Sequence, residues 1–194
     1  MYKVRSDKGN NQESIIRRLL FLMGDNPNRE GLIETPRRVI NSYKELFSGY
    51  SYSESDIENI FIKQFTETEN YDGIIICKNI PFISFCEHHL LPFSGLVHIG
   101  YLPDKKTVGL SKLPRIVDVF AKRLQIQERL TSQITRTLMT YIQPQGVGTI
   151  IEAEHLCITC RGIKKTGSKM ITSCLEGVFQ DPIVKNEFIN LLRN

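Results

Sequence analysis

The sequence lacks any apolar run approaching the ~20 residues that a membrane-spanning helix needs. Its longest early run, Leu19-Leu20-Phe21-Leu22-Met23, sits inside a charged, helix-patterned segment. The opening stretch Met1 to Gln12 is polar and has no signal-peptide apolar core, which leads to the expectation of a cytoplasmic protein without membrane partners. There is also no long basic run. With 25 Lys+Arg against 21 Asp+Glu, the net charge of +4 is mild and mixed along the chain, which argues against a nucleic-acid-binding arm. Cysteines are few and odd in number: the five at 77, 86, 157, 160 and 174 fit reduced thiols with a metal or catalytic role better than a disulfide framework. No internal repeat, low-complexity tract or flexible linker interrupts the chain.

What is present is the composition of an ordinary globular chain. Its 194 residues are 41% hydrophobic and 24% charged, enough to bury one core. Ile15, Ile16, Leu19, Leu20 and Met23 recur at helical spacing ahead of Gly24, a left-handed cap. Thr35-Pro36 then offers an N-cap followed by proline at the first helical position, ahead of the stripe Val39, Ile40, Tyr43, Leu46 and Phe47. An N-terminal helical hairpin over residues 1–56 is therefore predicted. From residue 57 to 194 the pattern predicts a second domain. Strand-like runs at 73–77 and 95–101 precede helices over 113–120 and 127–141, and further strands at 147–159 and 170–179 precede a short terminal helix from Pro182. Strand pairs separated by a helical pair suggest an α+β domain, an antiparallel sheet with helices packed on one face.

The strongest chemical signal is Cys86-Glu87-His88-His89, where a thiolate and an imidazole three residues apart can reach one ion from a tight turn. Further ligands must come from His155-Leu156-Cys157-Ile158-Thr159-Cys160. If the strand runs on through that segment, His155, Cys157 and Thr159 share one face and Cys160 points to the other. That disfavours a closed Cys3His site unless a turn begins at residue 158. The favoured ligand set is Cys86, His89 and Cys157 around zinc, with an open fourth position for water whose pKa the metal lowers to roughly 7. His88 and His155 flank these ligands and are candidates for proton transfer. His98 reads as structural or surface, and Cys77 and Cys174 as small buried hydrophobes.

An anion site is suggested by Ser111 ahead of an apolar-periodic helix that carries Lys112 and Arg115 in its first stretch. The segment GIKKTGSK at 162–169 has a superficial phosphate-loop look, but Ser168 precedes Lys169, the reverse of the phosphate-loop order.

Together these residues resemble the GTP cyclohydrolase I family over nearly the whole chain from about Gln12. The matching stretches are ETPRRV at 34–39, CEHHLLPFSG at 86–95, GLSKLPRIV at 109–117, QERLTSQI at 127–134 and EHLCITCRG at 154–162. The resemblance implies zinc on Cys86, His89 and Cys157, with proton-transfer histidines at His88 and His155. It implies triphosphate contacts from Ser111, Lys112, Arg115 and Arg161, and guanine contacts from Gln127 and Glu128. A carboxylate at Glu128 suits guanine, whose N1–H and 2-amino group both donate. The implied reaction is hydrolytic: GTP and water give 7,8-dihydroneopterin triphosphate and formate, opening pterin and tetrahydrofolate biosynthesis. The implied fold is the tunnelling fold, and the implied assembly is a homodecamer with active sites at subunit interfaces. Cys160 departs from many relatives, and strand parity predicts that it is reduced and points outward. A fold relative acting on pterins or deazaguanines, and a module merely stabilised by zinc, are the competing readings.

Overall fold

A computed structural model of the chain describes residues 11–66 and 71–193. Residues 1–10, which hold most of the polar opening stretch, lie outside them. The chain divides between Ser48 and Gly49 into two compact units.

In the first unit, helices α1 (Asn11–Leu22) and α2 (Thr35–Leu46) pack on each other. Gly24 at φ 92° ends α1, its N–H donating to the Phe21 carbonyl while Asp25 donates to Leu20. Only glycine takes this left-handed turn without steric cost. Thr35 does not cap α2 as expected. It is the first helical residue, and its hydroxyl donates back to the Gly31 carbonyl at 3.5 Å.

The second unit opens with α3 (Glu54–Phe61), a helix the sequence reading did not separate. Its start is a capping box in which the Ser53 Oγ accepts from the Asp56 N–H while the Asp56 carboxylate accepts from the Ser53 N–H. Next come β1 (Gln64–Phe65), β2 (Ile75–Cys86), β3 (Pro92–Leu102), β4 (Thr107–Val108), α4 (Lys112–Ala121), β5 (Leu124–Gln125) and α5 (Gln127–Ile142). The chain ends with β6 (Gly146–His155), a single turn α6 (Leu156–Thr159), β7 (Met170–Gly177) and α7 (Pro182–Arg193).

The main sheet has the order β5-β2-β3-β6-β7. Its four long strands pair antiparallel, whereas the two-residue β5 joins β2 in parallel, Phe85 opposite Leu124 and Cys86 opposite Gln125. β1 and β4 form a separate antiparallel pair.

One sheet face holds the core. Val97, Ile99 and Tyr101 of β3 and Val147 and Ile151 of β6 alternate inward beneath α4 and α5. On α5, Leu130, Ile134, Leu138 and Ile142 fall every four residues and are all buried. Each contributes about 1.5–3 kcal/mol by leaving water. Helices do not keep to that face alone. Added Cβ atoms at Gly100 and Gly148, on the opposite face, would meet the Phe188 ring of α7 at 2.6 and 2.9 Å. The two glycines leave a hollow that Phe188 fills, so α7 lies on the second face. His98, on that second face, accepts the Asn79 N–H at a β-bulge in β2.

Candidate metal centre and active site

At one end of the sheet four chain segments meet. β2 ends at Cys86, and the turn that follows is closed by two backbone bonds, Cys86 N–H to the Leu91 carbonyl and Leu90 N–H to the Cys86 carbonyl. β3 opens beside it at Pro92, β6 ends at His155 opposite Phe93, and α5 begins at Gln127, reached through β5 hydrogen-bonded alongside Cys86.

Cys86, His89 and Cys157 each bring one donor atom to this point, all within 4.8 Å of one another. The Cys86 Sγ lies 3.5 Å from the His89 Nδ1. Tetrahedral bonds of about 2.3 Å to sulfur and about 2.05 Å to nitrogen would set two such ligands roughly 3.5 Å apart, so this pair fits zinc. Two thiols and an imidazole also form the borderline-soft donor set that zinc prefers. Burial pushes the Cys157 thiol above its ordinary range, and the Cys86 sulfur beside it adds to the shift while Arg161 opposes it. A cation placed between the two sulfurs would relieve that strain.

Cys157 reaches this point by a route the alternation of strand faces did not foresee. β6 stops at His155, and residues 156–159 form a helical turn, earlier than the turn at 158 that strand parity allowed for. Cys157 and Cys160 are therefore three apart on a helical turn, not on opposite faces of a strand. Cys160 is exposed, and it is not one of the three clustered donors.

The two candidate proton carriers differ in setting. His88 is exposed, with its Nδ1 3.9 Å from the Cys86 Sγ. His155 is 8% exposed and stacks on Phe93, ring centroids 4.5 Å apart and planes within 2°. Burial pushes its pKa down, partly offset by the Glu128 carboxylate. Its Nε2 is 2.8 Å from the Gln127 Oε1.

Gln127, expected at the guanine, is packed into the protein beside His155. Its side chain is only 1% exposed, and its amide nitrogen donates to the Ile151 and Met170 carbonyls and to the Thr172 hydroxyl. The carboxamide thus meets protein on both sides. Glu128, the next residue, is exposed.

Glu87 and Arg129 escaped the sequence reading. The Arg129 guanidinium grips the Glu87 carboxylate with two bonds of 2.5 and 2.9 Å, tying the metal-side turn to the first turn of α5. That pairing holds the Glu87 carboxyl below its usual range. A charged residue lodged between two candidate ligands was the available signal.

The anion-binding candidates do not gather here. Arg161 follows α6 closely enough for its charge to act on Cys157. Ser111, Lys112 and Arg115 lie toward the opposite end of the sheet. α4 begins just after β4, whose Val108 N–H donates to the Tyr101 hydroxyl, and β4's partner strand β1 is bonded through Gln64 to the Tyr141 carbonyl. Tyr101 is about 26 Å along β3 from Phe93, and Tyr141 about 21 Å along α5 from Gln127. Ser111 occupies the N-cap position, but its side chain makes no capping bond.

The sequence profile described as GTP cyclohydrolase I matches residues 12–193. The chain belongs to the GTP cyclohydrolase I family. It is 48% identical over 182 residues to GTP cyclohydrolase 1 of Bartonella quintana (strain Toulouse), covering 93% of this chain and 87% of that one. The Leptospira biflexa serovar Patoc protein of the same name is 47% identical, with 93% and 97% covered. That of Campylobacter jejuni (strain RM1221) is 46% identical over 183 residues, with 94% of each chain covered. Among solved structures, the archaeosine synthase QueF-Like in the apo form aligns with a TM-score of 0.47 at 15% identity, over 55% of this chain and 96% of that chain.

Proposed function

We propose that this family member is a zinc-dependent GTP cyclohydrolase I, converting GTP and water to 7,8-dihydroneopterin triphosphate and formate at the start of pterin and tetrahydrofolate biosynthesis. The observation that carries this reading is the convergence of the Cys86, His89 and Cys157 donors with His155 and the first turn of α5 at one end of the sheet. Cys86, His89 and Cys157 would hold the zinc. When bound, it supplies a Lewis acid that acidifies water near neutral pH.

The remaining work falls to side chains. Glu128 accepts from the guanine N1–H and 2-amino group, a pair that adenine does not offer. His155, with His88 beside the metal ligands, takes a proton from the attacking water as oxygen bonds to C8. It returns a proton to the ring nitrogen as the C8–N bond breaks, and a second hydrolysis releases formate. Low exposure and a lowered pKa keep His155 neutral and able to accept that proton near pH 7.

Ser111, Lys112, Arg115 and Arg161 bind the triphosphate. Because the first three stand far from the metal cluster of their own chain, the complete site joins residues of two copies, in keeping with a homodecamer of tunnelling-fold subunits. In that scheme α1 and α2 form the helical hairpin, and the catalytic domain follows it. None of the helices in the described residues is long and apolar enough to cross a membrane, and a cytoplasmic location is part of the proposal.

The test is incubation of zinc-loaded protein with GTP under nitrogen, following formate and the dihydropterin absorbance, beside a chelated sample. Both products are expected together and only with metal. Folded, assembled, zinc-replete protein that yields neither would defeat the proposal.

A further inference from the structure

The hydrogen bonds around Gln127 can be assigned donor by donor. The Ile151 and Met170 carbonyls, each 3.0 Å from its amide nitrogen, can only accept. The –NH2 group must therefore face them, and the Oε1 must face His155. The Thr131 hydroxyl donates to the Gln127 main-chain carbonyl at 2.7 Å. Thr131 can then only accept from Thr172, whose oxygen lies 2.7 Å away. The Thr172 oxygen, 3.1 Å from the same amide nitrogen, is left to accept, and because that nitrogen carries two hydrogens, one of them is shared between two of its three acceptors.

The consequence falls on His155. A carboxamide oxygen has no proton to give, so the imidazole Nε2 must carry the hydrogen in the 2.8 Å contact. The stack on Phe93, directly across the β3–β6 pair, fixes the plane of the ring, and a half-turn within that plane would put Cε1 where Nε2 now meets Gln127 and lose the 2.8 Å bond. No hydrogen bond reaches Nδ1 among the described residues.

We propose that Gln127 is a positioning residue, which holds His155 as the Nε2–H tautomer and so makes Nδ1 the nitrogen that exchanges a proton with the substrate. This rests on the GTP cyclohydrolase reading and replaces a side-chain contact between Gln127 and guanine. A carboxamide that is 1% exposed, with its –NH2 group bonded on the protein side, has no free donor for a base.

Two measurements test it. Neutron diffraction from deuterium-exchanged crystals of the zinc-loaded full chain, at about pH 8 and so above the ordinary histidine range, should show deuterium on Nε2 of His155 and none on Nδ1. Any other pattern overturns the assignment, and this readout needs no variant. Second, Gln127→Met, similar in length but without an acceptor or donor for these bonds, should lower kcat by roughly 100-fold, the scale of a misplaced proton carrier. Its KM for GTP should stay within about threefold of wild type. A KM raised about tenfold or more with kcat retained would return Gln127 to the guanine and overturn the proposal. Wild-type protein that releases no formate from GTP would sink the activity reading by itself, while the neutron result would still decide the Gln127–His155 assignment.

Discussion

Replacing Cys157 and replacing His155 should fail in different ways, although the two residues are only two positions apart. Cys157→Ala removes one of three clustered donors, and the expected outcome is loss of bound zinc, read by metal analysis, together with loss of turnover. His155→Ala leaves all three donors, so zinc should stay while turnover falls about 100-fold or more. Zinc lost from a folded His155→Ala protein would mean that ligand and proton carrier have been confused. The three clustered donors were legible because thiols and imidazoles are scarce in this chain and six of the nine fall in the segments 86–89 and 155–160. The reason given for excluding Cys160 was not sound. β-Branched Ile158 and Thr159 extend a strand-like run, yet β6 ends at His155 and a helical turn carries Cys157 to the metal side. The packing of Gln127 was illegible for a related reason: a polar residue at a helix start looks available, and only the packed structure shows its amide bonded to two buried carbonyls and the Thr172 hydroxyl.

Among the elements, those with a long periodic signature were readable, including α1, α2, α5 and the long strands. The short ones were not. β1, β4 and β5 are two residues each, too brief for any alternation to register; β1 and β4 pair only with each other, and β5 forms on the open edge of β2. β5 matters most for function, since its parallel bond to β2 delivers the start of α5 beside Cys86. The position of α7 across the second face followed from glycines that a sequence reading treats as weak strand formers. Gly148→Val puts a Cβ within 2.6 Å of Phe179 and 2.9 Å of Phe188. It should cost roughly 1–3 kcal/mol through overpacking, seen as a lower urea midpoint with an unchanged slope. A midpoint equal to wild type would show that α7 does not press on this hollow.

For the whole molecule, the separation of the anion residues from the metal cluster makes a prediction about mixtures. A chain carrying Lys112→Ala and Arg115→Ala should be inactive, as should His155→Ala. Refolded together, the two should regain activity, because some sites then draw an intact α4 terminus from one chain and an intact metal end from another. A mixture as inactive as its parents would show that each chain builds its own site. This separation could not be seen from motif spacing, which gives chain order and says nothing about which end of a helix faces the metal.

The grip of Arg129 on Glu87 gives the molecule one more property. The ion pair fastens the loop bearing His88 and His89 to the helix start bearing Glu128, so in the proposed scheme guanine on Glu128 and an ion at the donor cluster would be linked through it. Thermodynamic reciprocity then requires that whatever the ion adds to nucleotide affinity, the nucleotide adds to ion retention. A non-hydrolysed GTP analogue should slow the stripping of zinc by a chelator, and Arg129→Met should abolish most of that protection while leaving all three ligands in place. Equal stripping rates with and without the analogue in the wild type would show that the clasp transmits nothing.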